Sequence, residues 1–181
     1  MKAYFLLIIL CIAIKPFSQS LQLLSPDKSI KVSVQANNRL TYSVFVDDKK
    51  VLDSSLINMQ LSNNIALSNN LKIKSTKTKS ISETIVAQIP VSRKNISNIY
   101  NELTINFKNN FATIFRAYND GVAYRIVTSF KDSIIIQNET AQFDFNNDAH
   151  AWVPIIQKRE DQDIFHTSFE ELYPYKLLDS L

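Results

Sequence analysis

Residues 115–125 read FRAYNDGVAYR and contain the only glycine of the 181-residue chain. Two apolar-rich segments flank the central Asn119-Asp120-Gly121, and residues of these types tolerate the positive φ that a tight hairpin turn requires. The stretch therefore predicts a β-hairpin whose turn lies at residues 119–121.

The rest of the chain has the periodicity of strands. Apolar and polar residues alternate over 30–34, over part of 40–46 and over 103–107, which is typical of half-buried antiparallel sheets. Paired asparagines fall at breaks between such segments, at 37–38, 63–64, 69–70, 109–110 and 146–147, where asparagine can form turns that usually need glycine. The polar tetrapeptide at 47–50 links two strands. Only the tail after Thr167 has helical character, and Pro174 interrupts it.

These patterns predict an all-β fold, a twisted antiparallel β-sandwich with many short strands. The N-terminus has the form of a signal peptide, with a basic start, an apolar stretch at 5–14 and small residues at 18 and 20. That stretch is too short to span a bilayer core of roughly 30 Å. We expect a signal peptide at 1–20, one domain at 21–181, and a secreted or periplasmic protein with no membrane anchor. Cys11, the only cysteine, would leave with the signal peptide.

The charge of the chain argues against nucleic acid as a partner. Its formal net charge is only +3, and the lysines are spread along the sequence. The densest basic stretch, residues 72–79, reads KIKSTKTK, and we interpret it as a solvated edge strand or hairpin protected by lysine. In an extended strand, Lys72 and Lys74 would share one face while Lys77 and Lys79 would share the other.

The hairpin segment also resembles a family signature. The pattern F-R-x-Y-N-D-G-V-A-Y-R occurs in the N-terminal domain of glycoside hydrolase family 97, which comprises secreted bacterial α-glucosidases and α-galactosidases. Four further segments resemble that domain and follow in family order: LSPDKSI at 24–30, LTYSV at 40–44, AWVP at 151–154 and FEELY at 169–173. One position departs from the pattern, because Lys28 stands where the opening turn of the family usually carries glycine.

The resemblance implies a galactose mutarotase-like super-sandwich, which this chain would leave incomplete at its C-terminus. In the family the catalytic carboxylates lie on a (β/α)₈ barrel after the sandwich, and the sequence has no alternation of strands and helices that would form one. We therefore expect no catalytic residue and no glycosidase activity from this chain alone. In an intact enzyme it would pack on the catalytic barrel and close one side of a site for an α-glucoside or α-galactoside. The alternative is a free-standing secreted module that binds a glycan or another protein.

The resemblance also implies a calcium site. In the family a calcium ion in the active site is held by glutamates, one of which the N-terminal domain adds to ligands from the barrel. By motif position that residue is Glu170, with Glu171 as the alternative alignment. Calcium takes six to eight oxygen ligands. We therefore expect no tight calcium binding by this chain alone.

Other candidate residues have more ordinary interpretations. Trp152, the only tryptophan, could stack on a sugar ring, although we favour core packing beside Pro154. Arg116 and Arg125 flank the hairpin turn, where they could clamp a carboxylate or a sugar hydroxyl, but pairing with nearby acids such as Asp120 is the ordinary expectation.

Neither the histidines nor the acidic run predicts a metal site. His150 and His166 have no cysteine in the mature chain to complete a zinc ligand set. Residues 160–163 read EDQD and lack the glycine and the terminal glutamate of an EF-hand loop, so we expect an exposed loop there.

Overall fold

A computed structural model describes residues 20–145, 149–157, 159–161, 163 and 170–180. The predicted signal peptide up to residue 19 lies outside the described residues. The described part contains eleven strands and one 3₁₀ turn at Leu178–Ser180. The strands are β1 Ser20–Leu24, β2 Ile30–Ala36, β3 Leu40–Val46, β4 Lys49–Leu61, β5 Ile73–Val86, β6 Asn95–Phe107, β7 Phe111–Ala117, β8 Val122–Thr128, β9 Ile136–Ala141, β10 His150–Trp152 and β11 Tyr175–Leu177.

Nine of these strands form two antiparallel sheets that pack against each other. The first sheet has the order β1-β2-β3-β4-β9 and the second has the order β5-β6-β7-β8. Within the described part of the chain, the strands β10 and β11 pair only with each other, and we call this pair the ribbon. The predicted all-β antiparallel sandwich is confirmed.

The core lies between the two sheets and follows the alternation of the sequence. Every second residue of β7 is buried, as are the first three alternate residues of β2 and of β3, because successive side chains of a strand point to opposite faces. The rings of Tyr42, Phe115 and Tyr124 join the two sheets, with centroids 5.6–5.9 Å apart. Fully burying one large apolar side chain contributes about 1.5–3 kcal/mol, so this interface is the main source of stability. Its most deeply buried large side chains are Val32, Val34, Leu40, Ile57, Leu61, Leu67, Ile105, Phe111 and Phe115.

The tightest strand connection is formed by Asp47 and Asp48, with φ of 46° and 60°. Positive φ at both residues of a two-residue connection is the type I′ arrangement, which suits the twist of paired strands. Because β4 begins at Lys49, the predicted tetrapeptide link is shorter than expected, and both of its lysines belong to the strand.

Three of the paired asparagines act as the sequence predicts. Asn64, Asn70 and Asn110 have φ of 62°, 54° and 64°, in the left-handed region that asparagine enters more readily than most residues. The pair at 37–38 has no positive φ, and residues 146–147 lie outside the described residues. Asparagine therefore replaces glycine at three of the breaks.

The hairpin at 115–125 is present, but its turn differs from the prediction. The last pair of the ladder joins Ala117 to Val122, and the N–H of Tyr118 donates to the carbonyl of Gly121 at 2.8 Å. None of residues 119–121 has a positive φ, because a connection of residues 118–121 is long enough to reverse without one. Asn119 instead accepts a hydrogen bond through Oδ1 from the N–H of Asp27 at 3.1 Å. The predicted hairpin is confirmed, although its turn makes no use of the positive φ that these residues tolerate.

That contact ties the hairpin to the opening turn at residues 25–29. Asp27 Oδ1 accepts hydrogen bonds from the Ser25 hydroxyl at 2.6 Å and from the N–H and hydroxyl of Ser29 at 3.0 and 2.8 Å. These bonds hold the pKa of Asp27 below its ordinary value. Lys28 has φ of 67°, a conformation that glycine adopts without steric cost. The turn therefore favours glycine, and Lys28 adopts the same backbone at some cost.

The lysine-rich segment is an edge strand, as predicted. β5 forms one edge of the second sheet and is exposed along nearly all of its length. A β-bulge between Ile73 and Ser75 shifts its register against β6. The predicted alternation therefore does not run across residues 72–79, although Lys77 and Lys79 share a face.

The predicted helical tail was wrong. In the described part of the tail, residues 175–177 form β11, and helical structure is confined to the 3₁₀ turn that follows. Pro174 accepts a hydrogen bond from the N–H of Val153 at 3.1 Å, so it enters the ribbon through its carbonyl, which is the only backbone hydrogen-bonding group that proline has. The described residues contain no helix of the length and hydropathy that crossing a bilayer requires.

Candidate functional site

The residues that the sequence singles out for binding lie in or beside the ribbon. Trp152 ends β10 and is paired with Tyr175 at the start of β11. Two further backbone hydrogen bonds, of 3.1 and 2.8 Å, extend this pairing by one residue at each end. The ribbon therefore brings the AWVP segment beside the segment that carries Glu170 and Glu171.

Trp152 is 68% exposed, so the expectation that it packs in the core was wrong. Its indole ring lies 5.1 Å from the ring of Tyr175, which in turn stacks on His150 at 5.0 Å with 19° between the ring planes. These three side chains share one face of the ribbon, and we call them the aromatic face. A ribbon of two strands has no opposing sheet among the described residues, so the indole stays open to solvent.

The two glutamates have different surroundings. The Glu171 side chain is 13% exposed, and its Oε1 lies 3.5 Å from Arg159 Nη2. This ion pair is not aligned as a hydrogen bond, so the buried Oε1 has no hydrogen-bond partner among the described residues. Glu170 is exposed, and the described residues offer it neither an ion pair nor a hydrogen bond. Glu171 is thus engaged by a cation, whereas Glu170 is open to an external one.

A cavity of about 360 Å³ opens beside the ribbon. Lys176, on its wall, is paired with Ala151, so by strand alternation its side chain leaves the ribbon on the face opposite to Trp152 and Tyr175. Leu172 stands at the cavity and is 90% exposed. The cavity is mainly aliphatic and charged, unlike the aromatic face, and is lined by Ile155, Gln157, Glu171, Leu172, Pro174 and Lys176.

The described part of the chain contains no group of three or more histidine, cysteine, aspartate or glutamate side chains that could hold a metal ion. Residues 160, 161 and 163 of the acidic run are exposed, and His166 lies outside the described residues. Carboxylate oxygen is the donor that calcium prefers. Among the described residues, Glu170 is thus a single exposed carboxylate outside any such group.

Sequence reasoning missed a charged cluster on the outer face of the second sheet. Glu102 is only 3% exposed, and its carboxylate accepts a hydrogen bond from Arg116 Nε at 2.8 Å and pairs with Lys79 Nζ at 3.1 Å. The guanidinium of Arg116 also lies 4.4 Å from the centroid of the Tyr100 ring. Arg116 is therefore paired with Glu102 and not with Asp120, the expected partner.

The environment of Glu102 keeps its carboxylate charged. Burial raises its pKa, but the hydrogen bonds from Arg116 and Lys79 outweigh burial, so the pKa of Glu102 lies below its ordinary value. Lys79, Glu102 and Arg116 stand in one row across three strands. Cross-strand pairs of opposite charge stabilise sheets, and this row joins β5, β6 and β7. β6 and β7 carry one charged residue each, Glu102 and Arg116, and only the register of the strands brings them together.

Residues 23–181 match the family described as glycosyl-hydrolase 97 N-terminal. The match includes the hairpin, the ribbon and both glutamates. The chain belongs to this family. This match confirms the resemblance found in FRAYNDGVAYR. The glycosyl-hydrolase 97 N-terminal domain is the N-terminal part of glycoside hydrolases.

A curated relative of the domain is a retaining α-galactosidase from Bacteroides thetaiotaomicron. The two are 34% identical over 182 residues. The alignment covers 98% of this chain and 27% of the relative. The glycosyl-hydrolase 97 N-terminal domain thus spans about a quarter of the length of the curated relative that it matches.

Solved structures resemble the domain in fold. A β-arabinopyranosidase gives a TM-score of 0.74 at 23% identity, over 87% of this chain and 26% of that one. A glycoside hydrolase family 97 enzyme from Pseudoalteromonas sp. strain K8, solved with panose and with acarbose, gives a TM-score of 0.65 at 22% identity. That match covers 75% of this chain and 22% of the enzyme. Identities this low show a shared fold for this glycosyl-hydrolase 97 N-terminal domain.

Proposed function

We propose that this chain is the non-catalytic N-terminal sandwich of a glycosidase that acts on α-glucosides or α-galactosides. In this proposal the ribbon and its cavity pack on the catalytic barrel and close one side of the sugar site. The observation that carries it is the exposure of the ribbon region. The residues that the sequence singles out for binding lie together there, and no side chain is buried among the described residues of this region. The 34% identity to a retaining α-galactosidase supports the class of substrate.

The exposed apolar surface of the ribbon supports packing on a second domain. Ile155 and Ile156 are 42% and 38% exposed, and Leu172 is 90% exposed. Ile155 and Leu172 line the same cavity, and exposed apolar side chains that lie together mark an interaction site. The aliphatic cavity beside these residues offers a concave surface into which side chains of the barrel would fit.

Glu170 is the residue through which the domain would reach a calcium ion. It is exposed and free of a described partner, whereas a cation at Glu171 would be repelled by the guanidinium of Arg159 at 3.5 Å. Glu170 would supply one carboxylate ligand, and Glu171 is the second choice. When bound, the ion would polarise sugar oxygen atoms, as a Lewis acid does. The domain alone should bind calcium only weakly, because one carboxylate is far below a full ligand set.

The first test is the size of the native protein. An antibody raised against residues 21–181 would capture it from its source, and mass spectrometry would give its intact mass. Because the chain spans 27% of the relative, we expect a species several times heavier than 20.7 kDa. A native species no heavier than the chain would contradict the proposal and leave the free-standing module.

The second test is a chimera in which this chain replaces the matched N-terminal part of the α-galactosidase. Activity towards p-nitrophenyl α-galactoside and α-glucoside is measured against calcium concentration. Glu170→Ala should raise the calcium concentration needed for half activity, and excess calcium should restore much of the loss. Glu160→Ala, which removes another exposed carboxylate of the same region, should have no effect.

The outcomes of the chimera separate the two halves of the proposal. An active chimera whose calcium response is unchanged by Glu170→Ala and by Glu171→Ala would refute the calcium role alone. A folded but inactive chimera, together with no association between this chain and the separately expressed barrel in sedimentation, would refute packing on the barrel.

Exposure of Trp152 favours a second candidate, a free-standing module that binds carbohydrate. An indole ring that is 68% exposed is available to stack on a pyranose. Calorimetry of calcium binding to the chain alone tests the first candidate. Micromolar binding would require a ligand set that the first candidate assigns to the barrel, so it would contradict that candidate.

A further inference from the structure

We infer that the aromatic face, His150, Trp152 and Tyr175, is a preformed binding platform for one neutral pyranose ring. The inference deepens the proposed function, because it names a sugar subsite on the ribbon, and it rests on that function for the class of ligand. It assigns Trp152 the stacking surface. Tyr175 and His150 hold the indole in position.

The geometry supports a fixed orientation of Trp152. Its ring contacts Tyr175 at a centroid distance of 5.1 Å with 44° between planes, and the Tyr175 ring in turn stacks on His150 at 5.0 Å. Direct pairing of Trp152 with Tyr175 fixes the backbone beneath these rings. A ring that is already ordered loses little conformational entropy when a ligand binds, so pre-organisation favours affinity.

The ring surface remains accessible in spite of these contacts. Trp152 is 68% exposed and Tyr175 is 58% exposed. The indole of Trp152 carries an N–H group and the phenol of Tyr175 an O–H group at the ring edge, and these can bond to the hydroxyls around a sugar whose C–H face lies on the indole. A purely apolar partner would leave these polar edges unpaired, at a cost.

The opposite face of the ribbon is the face that we assign to a protein partner, the barrel. The cavity on that side is lined by the aliphatic Ile155, Leu172 and Pro174 together with charged side chains. Aliphatic surface with a concave shape suits packing of the barrel, whereas three aromatic rings with polar edges suit a hydroxylated ring. The ribbon would then contact the barrel on one face and the sugar on the other.

The single tryptophan makes the inference directly testable on the chain alone. Its fluorescence is recorded while methyl α-D-galactopyranoside or methyl α-D-glucopyranoside is added, without calcium and without the barrel. We expect a saturable blue shift, because a stacked ring removes water from an exposed indole. Sorbitol, which has similar hydroxyls but no ring face, should cause no saturable shift.

Two matched variants test the composition of the platform. Tyr175→Ala keeps the tryptophan but removes its neighbour, and should weaken binding roughly two- to tenfold, the equivalent of one lost aromatic contact. Leu172→Ala, on the cavity side, should leave the titration unchanged. Because both side chains are more than half exposed, both variants should keep the wild-type unfolding midpoint, which urea titration checks.

Each remaining outcome overturns the inference. The absence of a saturable shift with both pyranosides, an equal response to sorbitol, or unchanged binding by Tyr175→Ala would each remove the platform. Saturation-transfer NMR gives a second readout. If Trp152→Phe gave the same pyranoside signal intensity as the wild type, that result would also contradict the inference. If the chain binds neither pyranoside but the chimera is active and responds to calcium, the platform alone is refuted. If the chain binds a pyranoside but the chimera is folded and inactive, the proposed function is refuted.

Discussion

The two-sheet sandwich and the β10–β11 ribbon are built from similar residues but differ in what opposes them. In the sandwich, alternate side chains of β7 and of most of β2 and β3 meet the other sheet and are buried. In the described part of the ribbon region, from residue 149 onwards, no side chain is buried, although it carries tryptophan, tyrosine, isoleucine and leucine. Burial is therefore decided by the layer that faces a strand, and composition alone does not decide it.

This difference separates stability from function within one chain. The sandwich can supply its own free energy of folding, because its apolar faces cover each other. The ribbon leaves its rings and aliphatic side chains for a ligand or a partner. Changes in the sandwich should therefore lower stability strongly, and changes in the ribbon should alter binding while stability is kept.

The largest effect is expected from Phe115→Ala. Phe115 is fully buried between the rings of Tyr42 and Tyr124, and truncating a buried phenylalanine costs about 3–5 kcal/mol. Leu172→Ala, beside the ribbon, removes a side chain that is 90% exposed and should cost less than about 0.5 kcal/mol. Urea unfolding followed by circular dichroism measures both. Equal losses in the two variants would break the comparison between the regions.

Glu102→Gln should have the next largest effect, about 1–3 kcal/mol, because it removes a charged acceptor from two cations. The pKa of Glu102 is lowered in the folded state, so its stabilisation is present above the ordinary value of 4.5 and is lost as the pH falls through the folded value. The variant should therefore lose less stability than the wild type on acidification.

The measurement is the free energy of unfolding between pH 7 and pH 3 for both proteins. Parallel curves for wild type and Glu102→Gln would show that the outer face of the second sheet is not held by this carboxylate. The conclusion that the sandwich is stabilised on its outer face as well as in its core would then fall.

Tyr42→Phe should have a smaller effect on the pH dependence of stability, seen at alkaline pH. At all lower pH values the variant differs by the hydrogen bond that the Tyr42 hydroxyl donates to the carbonyl of Gln142 at 3.3 Å. Burial, with a smaller contribution from Tyr124, raises the pKa of Tyr42 from 10.0 to about 12. Stability linked to the neutral phenol is complete below pH 10 and is lost as the pH rises towards 12, by at most about 1.4 kcal/mol per unit. The phenylalanine variant has no such proton to lose, so its unfolding free energy should fall less steeply between pH 9 and 11. An identical slope in the two proteins would indicate that the phenol is not desolvated.

The smallest effect is expected from Lys28→Gly, and it is a gain. Lys28 has φ of 67°, where a side chain costs roughly 1–2 kcal/mol and glycine is free of that cost. Greater freedom of glycine in the unfolded chain offsets part of the gain, which leaves about 0.5–1 kcal/mol. Lys28→Ala retains a Cβ and should gain nothing. If alanine stabilised as much as glycine, removal of the lysine charge would be the cause, and backbone strain would not.

The sandwich could be predicted from the sequence because its signals are local. Alternation at 40–46 predicts a strand that the structure places at Leu40–Val46. Asparagine at positions 64, 70 and 110 predicts left-handed turn residues, and each has a positive φ. These patterns depend on a residue and its immediate neighbours in the chain.

The surroundings of the candidate residues could not be predicted in the same way. Whether Trp152 is buried depends on a facing layer, and nothing in AWVP states whether one exists. The partner of Arg116 depends on the register between β6 and β7, which places Glu102 opposite it. Asn119 was predicted only as a turn residue, but the approach of the opening turn gives its side chain an acceptor role. Each of these outcomes is set by residues distant in sequence.

The position of β9 has a consequence for the order in which the protein folds. β9 returns to the first sheet and pairs with β4, with the four strands of the second sheet lying between them in the chain. The hairpins of each sheet can form early from neighbouring segments, but β9 must wait until the long intervening loop has closed. Such non-local pairing slows folding because the entropy of closure is lost before any contact compensates for it. Until β9 docks, the edge of β4 stays open, and that interval is when a newly made chain is most exposed to misassembly.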